Sequence, residues 1–329
     1  MKAAVVSSFN TAPRCEEFPD PTPRDDQEMI IEVIAAGLHP RVRSQADGSH
    51  YTSTGELPLV PGIDGVGRGA DGLLRYFVLP DTPLGSMAER TIIDPRRSIV
   101  LPEDTDPIAL AAAMNPAMSS WIALRRRVQF QPGQNVLVLG ATGNAGRMAV
   151  QIAKLFGANR IIAAGRDADR LAGLPALGAT DTVQLTADAD ATARELGTAA
   201  ADVDVVIDYL WGEPTTTALV AVVTHRADRG KALTWVEIGS VAGPVAHIPS
   251  AALRAARLEI VGSGQGSVRT RDMLAELPGL AREIGSGTLE IDARPTPLAQ
   301  VEQAWVDAAR TMQRIVLTPH DLGREHAQF

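Results

Sequence analysis

The sequence predicts an α/β protein in which a parallel, doubly wound sheet is combined with a second, β-rich part. From about Gln134 onwards, strongly apolar strand segments alternate with helical segments, which is typical of a parallel sheet covered by helices on both faces. Residues 1–110 instead contain short apolar runs separated by Pro, Gly and Asp, a pattern that predicts β-strands joined by turns. At 329 residues, the length also favours two domains.

The N-terminal part is predicted to hold four strands and one interrupted helix. The strands are expected at Lys2–Val6, Met29–Ile34, Arg75–Leu79 and Arg90–Ile93. Residues 106–127 are Ala-rich and predict a helix that breaks at Pro116, because proline lacks the N–H group that continues a helix.

The remaining elements alternate in type along the chain. Strands are predicted at Asn135–Leu139, Arg160–Ala164, Val203–Asp208, Ala232–Ile238, Leu258–Val261 and Gln313–Leu317. Helices are predicted at Gly146–Phe156, Ala168–Leu177, Thr215–Val223, Met273–Ile284 and Leu298–Ala309.

Composition excludes several classes of protein. The formal net charge of −8 disfavours nucleic acid as a main partner, because phosphate-backbone binders are normally basic. The single cysteine, Cys15, cannot form an internal disulfide or a cysteine-rich zinc site. No apolar run reaches the ~18 residues of a membrane span, and the opening residues lack a secretory signal pattern. A cytoplasmic protein with no membrane partner is therefore expected.

The most informative segment, residues 135–154, joins a strand to a helix through a glycine-rich turn. Gly140, Gly143 and Gly146 in this turn suit a dinucleotide site, where a diphosphate approaches the backbone and the first N–H groups of a helix. Ala141 departs from the strict G-x-G-x-x-G pattern, and the alternative is a bare turn that binds nothing. The expected cofactor-binding residues are Thr142, Gly143, Asn144, Ala145 and Gly146.

The end of the next strand favours NADP(H) over NAD(H). A carboxylate there would bind the ribose 2′-hydroxyl of NAD, but this sequence has Gly165 followed by Arg166. A guanidinium can bind a 2′-phosphate through two hydrogen bonds, so Arg166 is the expected anchor and Arg170 a weaker helper. Asp167 complicates this interpretation, and a solvated loop arginine is the alternative for Arg166.

Several further motifs together resemble one family. They are MKAAVV at the start, AAGLHP (35–40), LPLVPGIDGVG (57–67), GSMAERTII (85–93) and the segment 118–146 that leads into the glycine-rich turn. On these motifs the chain resembles the medium-chain dehydrogenase/reductase superfamily, specifically the zinc-independent quinone oxidoreductase branch to which zeta-crystallin belongs. The resemblance implies a GroES-like catalytic domain at 1–113 and 267–329, a Rossmann NADP-binding domain at 114–266, and homodimers formed through the sheet edge.

The resemblance also predicts that no catalytic zinc is bound. Where zinc-dependent relatives have Cys, a His-Glu pair and a second Cys or Asp, this chain has His39, Ile63-Asp64 and a stretch around 115–119 without ligands. Ile63 cannot bind a metal, and a catalytic zinc needs three protein ligands. The other histidines, His50, His225, His247, His320 and His326, show no metal-binding spacing.

Three residues at family-equivalent positions are candidate hydrogen-bond donors to the acceptor. His39 is alternatively a wall or core histidine, Tyr51 a wall of the pocket or a core residue, and Asn115 a cap for a helix that starts at Pro116. Strand ends supply further candidate cofactor contacts, namely Tyr209, Gly239, Ser240, Gly262 and Ser263. Tyr209 and Trp211 are bulkier than the residues usual in relatives. They either narrow the cleft, stack on the adenine or the substrate, or pack in the core. Arg314 replaces a lysine of relatives, which puts a cofactor contact there in doubt.

The expected function is zinc-independent, NADPH-dependent hydride transfer to a quinone or an α,β-unsaturated carbonyl compound. Without a Lewis acid, acceptors that delocalise charge themselves are favoured. One alternative is an enoyl or alkenal double-bond reductase with a narrow substrate. Another is a non-catalytic NADPH-binding protein with a structural or redox-sensing role.

Overall fold

The computed structural model of the chain describes residues 1–9 and 11–320. The chain divides into two compact units, one formed by Met1–Asn115 with Leu274–Phe329 and the other by Pro116–Met273. The boundary expected after residue 113 thus falls after Asn115, and the one expected after residue 266 falls after Met273. His326 lies outside the described residues.

Fifteen strands and eleven α-helices are numbered along the described chain. The strands are β1 (Lys2–Val5), β2 (Arg14–Glu17), β3 (Met29–Gly37), β4 (Asp64–Gly69), β5 (Leu74–Val78), β6 (Arg90–Ile93), β7 (Ser98–Val100), β8 (Asn135–Leu139), β9 (Arg160–Gly165), β10 (Asp181–Gln184), β11 (Val205–Asp208), β12 (Leu233–Glu237), β13 (Leu258–Gly262), β14 (Ala293–Pro297) and β15 (Arg314–Thr318). The helices are α1 (Pro40–Ala46), α2 (Pro107–Ile122), α3 (Asn144–Leu155), α4 (Ala168–Ala172), α5 (Leu174–Leu177), α6 (Ala189–Ala199), α7 (Gly212–His225), α8 (Ser250–Ala255), α9 (Thr270–Leu274), α10 (Leu277–Gly285) and α11 (Val301–Asp307).

The first unit is built around a seven-stranded sheet that uses both ends of the chain. Its strand order is β14-β15-β3-β4-β5-β7, with β6 paired to β3. Strand β15 runs antiparallel to β3 and places Val316 opposite Gly37 and Leu317 opposite Ala36. Alternate residues of β3, such as Ile31 and Val33, are fully buried in the core of this unit. The C-terminal segment therefore completes a sheet that the N-terminal segment begins.

The second unit is a six-stranded parallel sheet in the order β10-β9-β8-β11-β12-β13. All five residues of β8 are buried, as expected for a central strand covered on both faces. The strand order reverses between β8 and β11, and in open α/β sheets ligands bind at such a switch point, beyond the carboxyl ends of the strands. The predicted α/β fold class is confirmed.

The predicted break at Pro116 is wrong, because α2 runs without interruption from Pro107 to Ile122 and continues into a π-helical turn at Ala123–Arg127. Pro116 lies inside this helix, where it removes one backbone hydrogen bond. Ala113, Met114 and Ala117 on either side are fully buried, so tertiary packing keeps the helix intact.

Two other predicted helices are divided. The segment 168–177 forms α4 and α5, which are separated at Gly173. The segment 273–284 falls on α9 and α10. Short helices of this kind are marginal by propensity alone, so packing decides where they end.

Among the described residues, Pro107–Arg127 is the one helical stretch whose length and mean hydropathy of 1.2 would suffice to cross a membrane. Within that window, 67% is buried inside the protein, and core helices pass the same test.

Candidate functional site: a dinucleotide-binding turn and the strand ends beside it

The glycine-rich turn connects β8 to α3 at the switch point of the parallel sheet. A Cβ atom at Gly146 would lie 2.2 Å from the carbonyl oxygen of Gly140, so only glycine allows the helix to pack this closely on the turn. Gly143 caps α3 without a side-chain hydrogen bond, and the nearest atom to a Cβ there would be 3.6 Å away. The start of α3 is therefore an open cradle of backbone N–H groups, which fits a diphosphate.

The end of β9 is closed to a larger side chain by Thr142. A Cβ atom at Gly165 would lie 2.6 Å from Cγ2 and 2.9 Å from Oγ1 of Thr142. Threonine is stiff about its first side-chain torsion, so it cannot easily turn away. The acidic residue of an NAD-type site has no room at this position.

The two arginines after β9 have different surroundings. Arg170 Nε lies 2.9 Å from Asp167 Oδ2, and the same aspartate caps α4 by accepting the N–H of Arg170. The charge of Asp167 is thus balanced by Arg170. Arg166 is exposed, and its guanidinium forms no ion pair with any described residue. Its guanidinium can therefore take a phosphate group.

Asp208 organises the turn that follows β11, on the other side of the switch point. This carboxylate is fully buried. Its Oδ1 accepts the backbone N–H groups of Leu210 at 2.8 Å and Trp211 at 3.1 Å. Its Oδ2 accepts the hydroxyl of Thr215 at 2.5 Å and the indole N–H of Trp235 at 2.9 Å. The sequence showed an acidic residue at this strand end but not the four donors, which come from a turn, a helix and a neighbouring strand.

Tyr209 packs within the second unit. Its hydroxyl lies 2.9 Å from Ser119 Oγ, which itself donates to the carbonyl of Pro116. Burial raises the pKa of Tyr209 to about 12, so the hydroxyl stays protonated and donates to Ser119. The structure gives the Tyr209 side chain a packing role, and a direct contact with a cofactor stays a prediction.

Trp211 has an unusual backbone conformation, with φ 53° and ψ −165°. This region is close to one that only glycine populates readily, and a residue held there costs about 1–3 kcal/mol. Among the described residues, Gln129 is the only other non-glycine residue at positive φ. The hydrogen bond from the Trp211 N–H to Asp208 helps to hold the strained turn.

The other predicted strand-end residues lie at the carboxyl edge of the sheet, where their backbone groups are partly engaged. The N–H of Gly239 donates to the carbonyl of Asp208, and that of Ser263 donates to the carbonyl of Glu237. The carbonyl of Gly262 accepts Nε of Arg127 at 2.8 Å. Ser240 is exposed and directly follows Gly239. Contacts from these residues to a cofactor stay predictions.

His39 belongs to a buried hydrogen-bonded group in the first unit. Its Nε2 lies 3.1 Å from Asp64 Oδ1, while Tyr76 donates its hydroxyl to Oδ2 of the same carboxylate at 2.7 Å. Burial lowers the pKa of His39 more strongly than the adjacent Asp64 raises it. Burial therefore favours the neutral ring, and an ionised Asp64 accepts a hydrogen bond only from the tautomer that carries its proton on Nε2.

This arrangement weakens the prediction that His39 donates a hydrogen bond to an acceptor. The remaining ring nitrogen, Nδ1, is buried and has no partner among the described residues. In a neutral ring protonated on Nε2, Nδ1 can only accept a hydrogen bond. His39 thus presents an acceptor where the sequence suggested a donor.

Tyr51 and Asn115, the other two candidate donors, have very different settings. Tyr51 is 74% exposed, and its ring lies 4.3 Å from that of His50. Asn115 lies inside α2 and is half-buried. The alternative in which Asn115 caps a helix starting at Pro116 is wrong, because the helix already begins at Pro107.

Arg314 is a structural residue of the first unit. Its guanidinium is buried and donates to the carbonyl of Leu38 at 2.8 Å, which ties β15 to the end of β3. The pKa of Arg314 is lowered to about 10, because the effect of burial outweighs the opposite effect of the charge on Asp64. Within the described ranges 1–9 and 11–320, no group of three or more His, Cys, Asp and Glu side chains could hold a metal ion.

Comparisons with known proteins find dehydrogenases and reductases. The family model described as zinc-binding dehydrogenase matches residues 145–280, a segment that includes neither His39 nor Asp64. A probable NADPH-dependent quinone reductase of Emericella nidulans, tdiC, is 29% identical over 97% of this chain and 100% of its own length. The 2-methylene-furan-3-one reductase of Solanum lycopersicum is 30% identical over 50% of this chain and 46% of its own length.

A solved structure is also similar to this chain over nearly its whole length. The quinone oxidoreductase of Thermus thermophilus, whose structure is also known in complex with NADPH, superposes with a TM-score of 0.80. The alignment covers 97% of this chain and 100% of that protein at 26% identity. Both the β-rich unit and the parallel-sheet unit thus have counterparts in one known protein.

Proposed function

Since the chain belongs to the quinone oxidoreductase branch of the medium-chain dehydrogenase/reductase superfamily, we propose that it is an NADPH-dependent oxidoreductase that reduces quinones or α,β-unsaturated carbonyl compounds. The observation that carries the proposal is the pairing of an open α3 start with an uncommitted Arg166 at the end of β9. The first fits a diphosphate, and the second fits the 2′-phosphate that distinguishes NADPH from NADH.

The residues of the second unit would bind and orient the cofactor. The backbone N–H groups of Asn144, Ala145 and Gly146 would hold the diphosphate, and Arg166 the 2′-phosphate. When bound, reduced nicotinamide supplies a hydride, so the acceptor gains two electrons and then takes a proton from solvent. His39 presents an acceptor nitrogen, so Tyr51 and Asn115 are the sequence-predicted hydrogen-bond donors that remain for the acceptor.

The acceptor class is supported by relatives. The full-length relative from Emericella nidulans is named as a quinone reductase, and a relative from Arabidopsis thaliana is named as an alkenal/one oxidoreductase. Both kinds of acceptor carry a carbonyl that delocalises negative charge after hydride arrives. That chemistry does not require a Lewis acid, so we propose that turnover is independent of zinc. Ile63 at a position where zinc-dependent relatives have a ligand supports this.

We also propose that the protein is a cytoplasmic homodimer with no nucleic acid or membrane partner. Strand β13 is the outer strand of the parallel sheet, and its side chains are half-buried or exposed. An unpaired edge of this kind can pair with the same edge of a second copy. The acidic net charge of −8 supports the absence of a nucleic acid partner.

The test follows the absorbance of NADPH and of NADH with purified protein and four acceptors: benzoquinone, phenanthrenequinone, an alkenal and a simple aldehyde. We expect turnover with NADPH on the quinones or the alkenal, unchanged by a chelator, and little turnover on the aldehyde. Activity that is lost with the chelator would contradict the zinc-independent proposal. Tight NADPH binding without turnover on any acceptor would instead indicate a non-catalytic binding protein.

A further inference from the structure

The strained turn at Trp211 lies directly beside the glycine-rich turn. A Cβ atom at Gly140 would lie 3.1 Å from Leu210 Cδ2 and 3.3 Å from Tyr209 Cβ. The turn after β11 therefore packs against the turn after β8, at the switch point. Trp211 is half-exposed, so its indole is not a core residue that packing alone would require.

The turn is held from several sides in its strained shape. Asp208 accepts the N–H of Trp211, and the carbonyl of Leu210 accepts the N–H of Ala242 at 2.8 Å. A Cβ atom at Gly212, which has φ +66°, would lie 3.1 Å from the backbone of Ala242. Several specific contacts thus hold Trp211 in a backbone conformation that tryptophan disfavours. Strain of this kind clusters at ligand sites.

The strand order tells which half of a dinucleotide the Trp211 turn faces. A dinucleotide lies across the switch point, with one mononucleotide half over each set of strands. Arg166 follows β9, so the adenosine half with its 2′-phosphate belongs to β8, β9 and β10. Trp211 follows β11 and belongs to the other half, which takes the nicotinamide mononucleotide.

We propose that Trp211 is a positioning residue for the nicotinamide mononucleotide half of the cofactor, and that the strained turn serves to place its indole there. The inference rests on the proposed function, because it needs the dinucleotide to bind across this switch point. The chemistry is contact between a flat, apolar indole and the nicotinamide ribose or ring, which adds to affinity for the intact cofactor but not for its adenosine fragment.

The experiment measures binding of NADPH and of 2′,5′-ADP by calorimetry, with W211A, W211G and the wild-type chain. We expect both variants to bind NADPH about 3- to 10-fold more weakly and to bind 2′,5′-ADP as the wild type does. Unchanged NADPH binding would overturn the inference, and so would an equal loss for both ligands. A wild-type chain that binds neither ligand would overturn the proposed function itself.

A second measurement separates the effect of the backbone strain on stability from the effect of losing the indole side chain. W211A keeps a Cβ atom at positive φ and W211G does not, so we expect W211G to melt about 2 °C or more above W211A. Alanine normally gives a more stable protein than glycine. A higher melting temperature for W211A than for W211G would therefore contradict the backbone strain at residue 211. Q129G and Q129A are the matched pair, because Gln129 has φ 49° in the connection leading to the opposite end of β8. We expect Q129G to melt at a higher temperature than Q129A, with no change in the binding of NADPH or of 2′,5′-ADP.

Discussion

The side chain of Thr142 occupies the space into which any side chain at Gly165 would project. The closest approach would be 2.6 Å, between a Cβ atom at residue 165 and Thr142 Cγ2. The glycine-rich turn and the end of the neighbouring strand are therefore sterically coupled. A larger residue at one position requires a smaller residue at the other.

This coupling predicts a double-mutant cycle. G165A should lower the free energy of unfolding by about 1–3 kcal/mol, because the added methyl group overlaps Thr142. Adding T142A should recover at least about 0.5 kcal/mol of this loss. Urea unfolding measures both values, and G262A is the matched control because a Cβ atom there meets nothing within 4 Å. Strictly additive effects of G165A and T142A would contradict the coupling.

The contrast between Arg166 and Arg170 predicts unequal contributions to cofactor choice. R166S removes the uncommitted guanidinium, so we expect NADPH to bind roughly 10- to 100-fold more weakly, with NADH unaffected. R170S removes a residue already paired with Asp167, so its effect should be several-fold smaller. Calorimetry with both cofactors gives the comparison. Equal losses for the two variants, or loss of NADH binding in R166S, would exclude this assignment.

Asp208 is predicted to be a major contributor to stability. D208N keeps the shape but places an amide group among four hydrogen-bond donors, so we expect the free energy of unfolding to fall by about 2–4 kcal/mol. Asp188, which caps α6 by accepting the N–H of Ala191, is the matched control. D188N should change stability little, because asparagine caps helices as well as aspartate does. Similar unfolding midpoints for the two variants in urea would refute the role of Asp208.

A pH dependence of stability is expected from His50. Burial, together with the charge of Arg41, lowers the pKa of His50 to about 4, against about 6.5 in an unfolded chain. Between these values the unfolded state binds a proton that the folded state does not, so this residue's contribution to stability falls as pH drops from 6.5 to 4.

The variant H50N removes that titration. We expect the difference in free energy of unfolding between pH 7 and pH 4.5 to be smaller in H50N than in the wild type. H247N, at an exposed position, is the control and should keep the wild-type slope. An identical slope in H50N would show that His50 is not held neutral in the folded protein.

The sequence was most informative where local pattern and fold agree. The sequence predicts the strand Asn135–Leu139, the turn to Gly146 and the amphipathic helix after it. The apolar run of a buried strand, the glycines of a tight turn and the apolar period of a helix can each be recognised within a short segment. The interruption at Pro116 was wrong, since tertiary packing outweighs one lost hydrogen bond.

The candidate site was less accessible from the sequence. The hydrogen bond between His39 and Asp64 joins residues 25 positions apart, so the sequence does not reveal that this ring has a buried partner. The four donors around Asp208 likewise depend on pairing between β11 and β12 and on where α7 begins. The strain at Trp211 is a property of backbone angles, which residue types alone do not reveal. Such features arise from tertiary contacts rather than from local composition.

The pairing of β15 with β3 has a consequence for synthesis of the protein. Domains generally fold as units while the chain emerges from the ribosome. The parallel-sheet unit lies in one continuous segment, Pro116–Met273, and can assemble before β15 is made. The first unit must wait, because Ala36 and Gly37 acquire their strand partner only when residues 316 and 317 emerge. Strand β3 is thus made before the parallel-sheet unit, but it completes its pairing after that unit has been made.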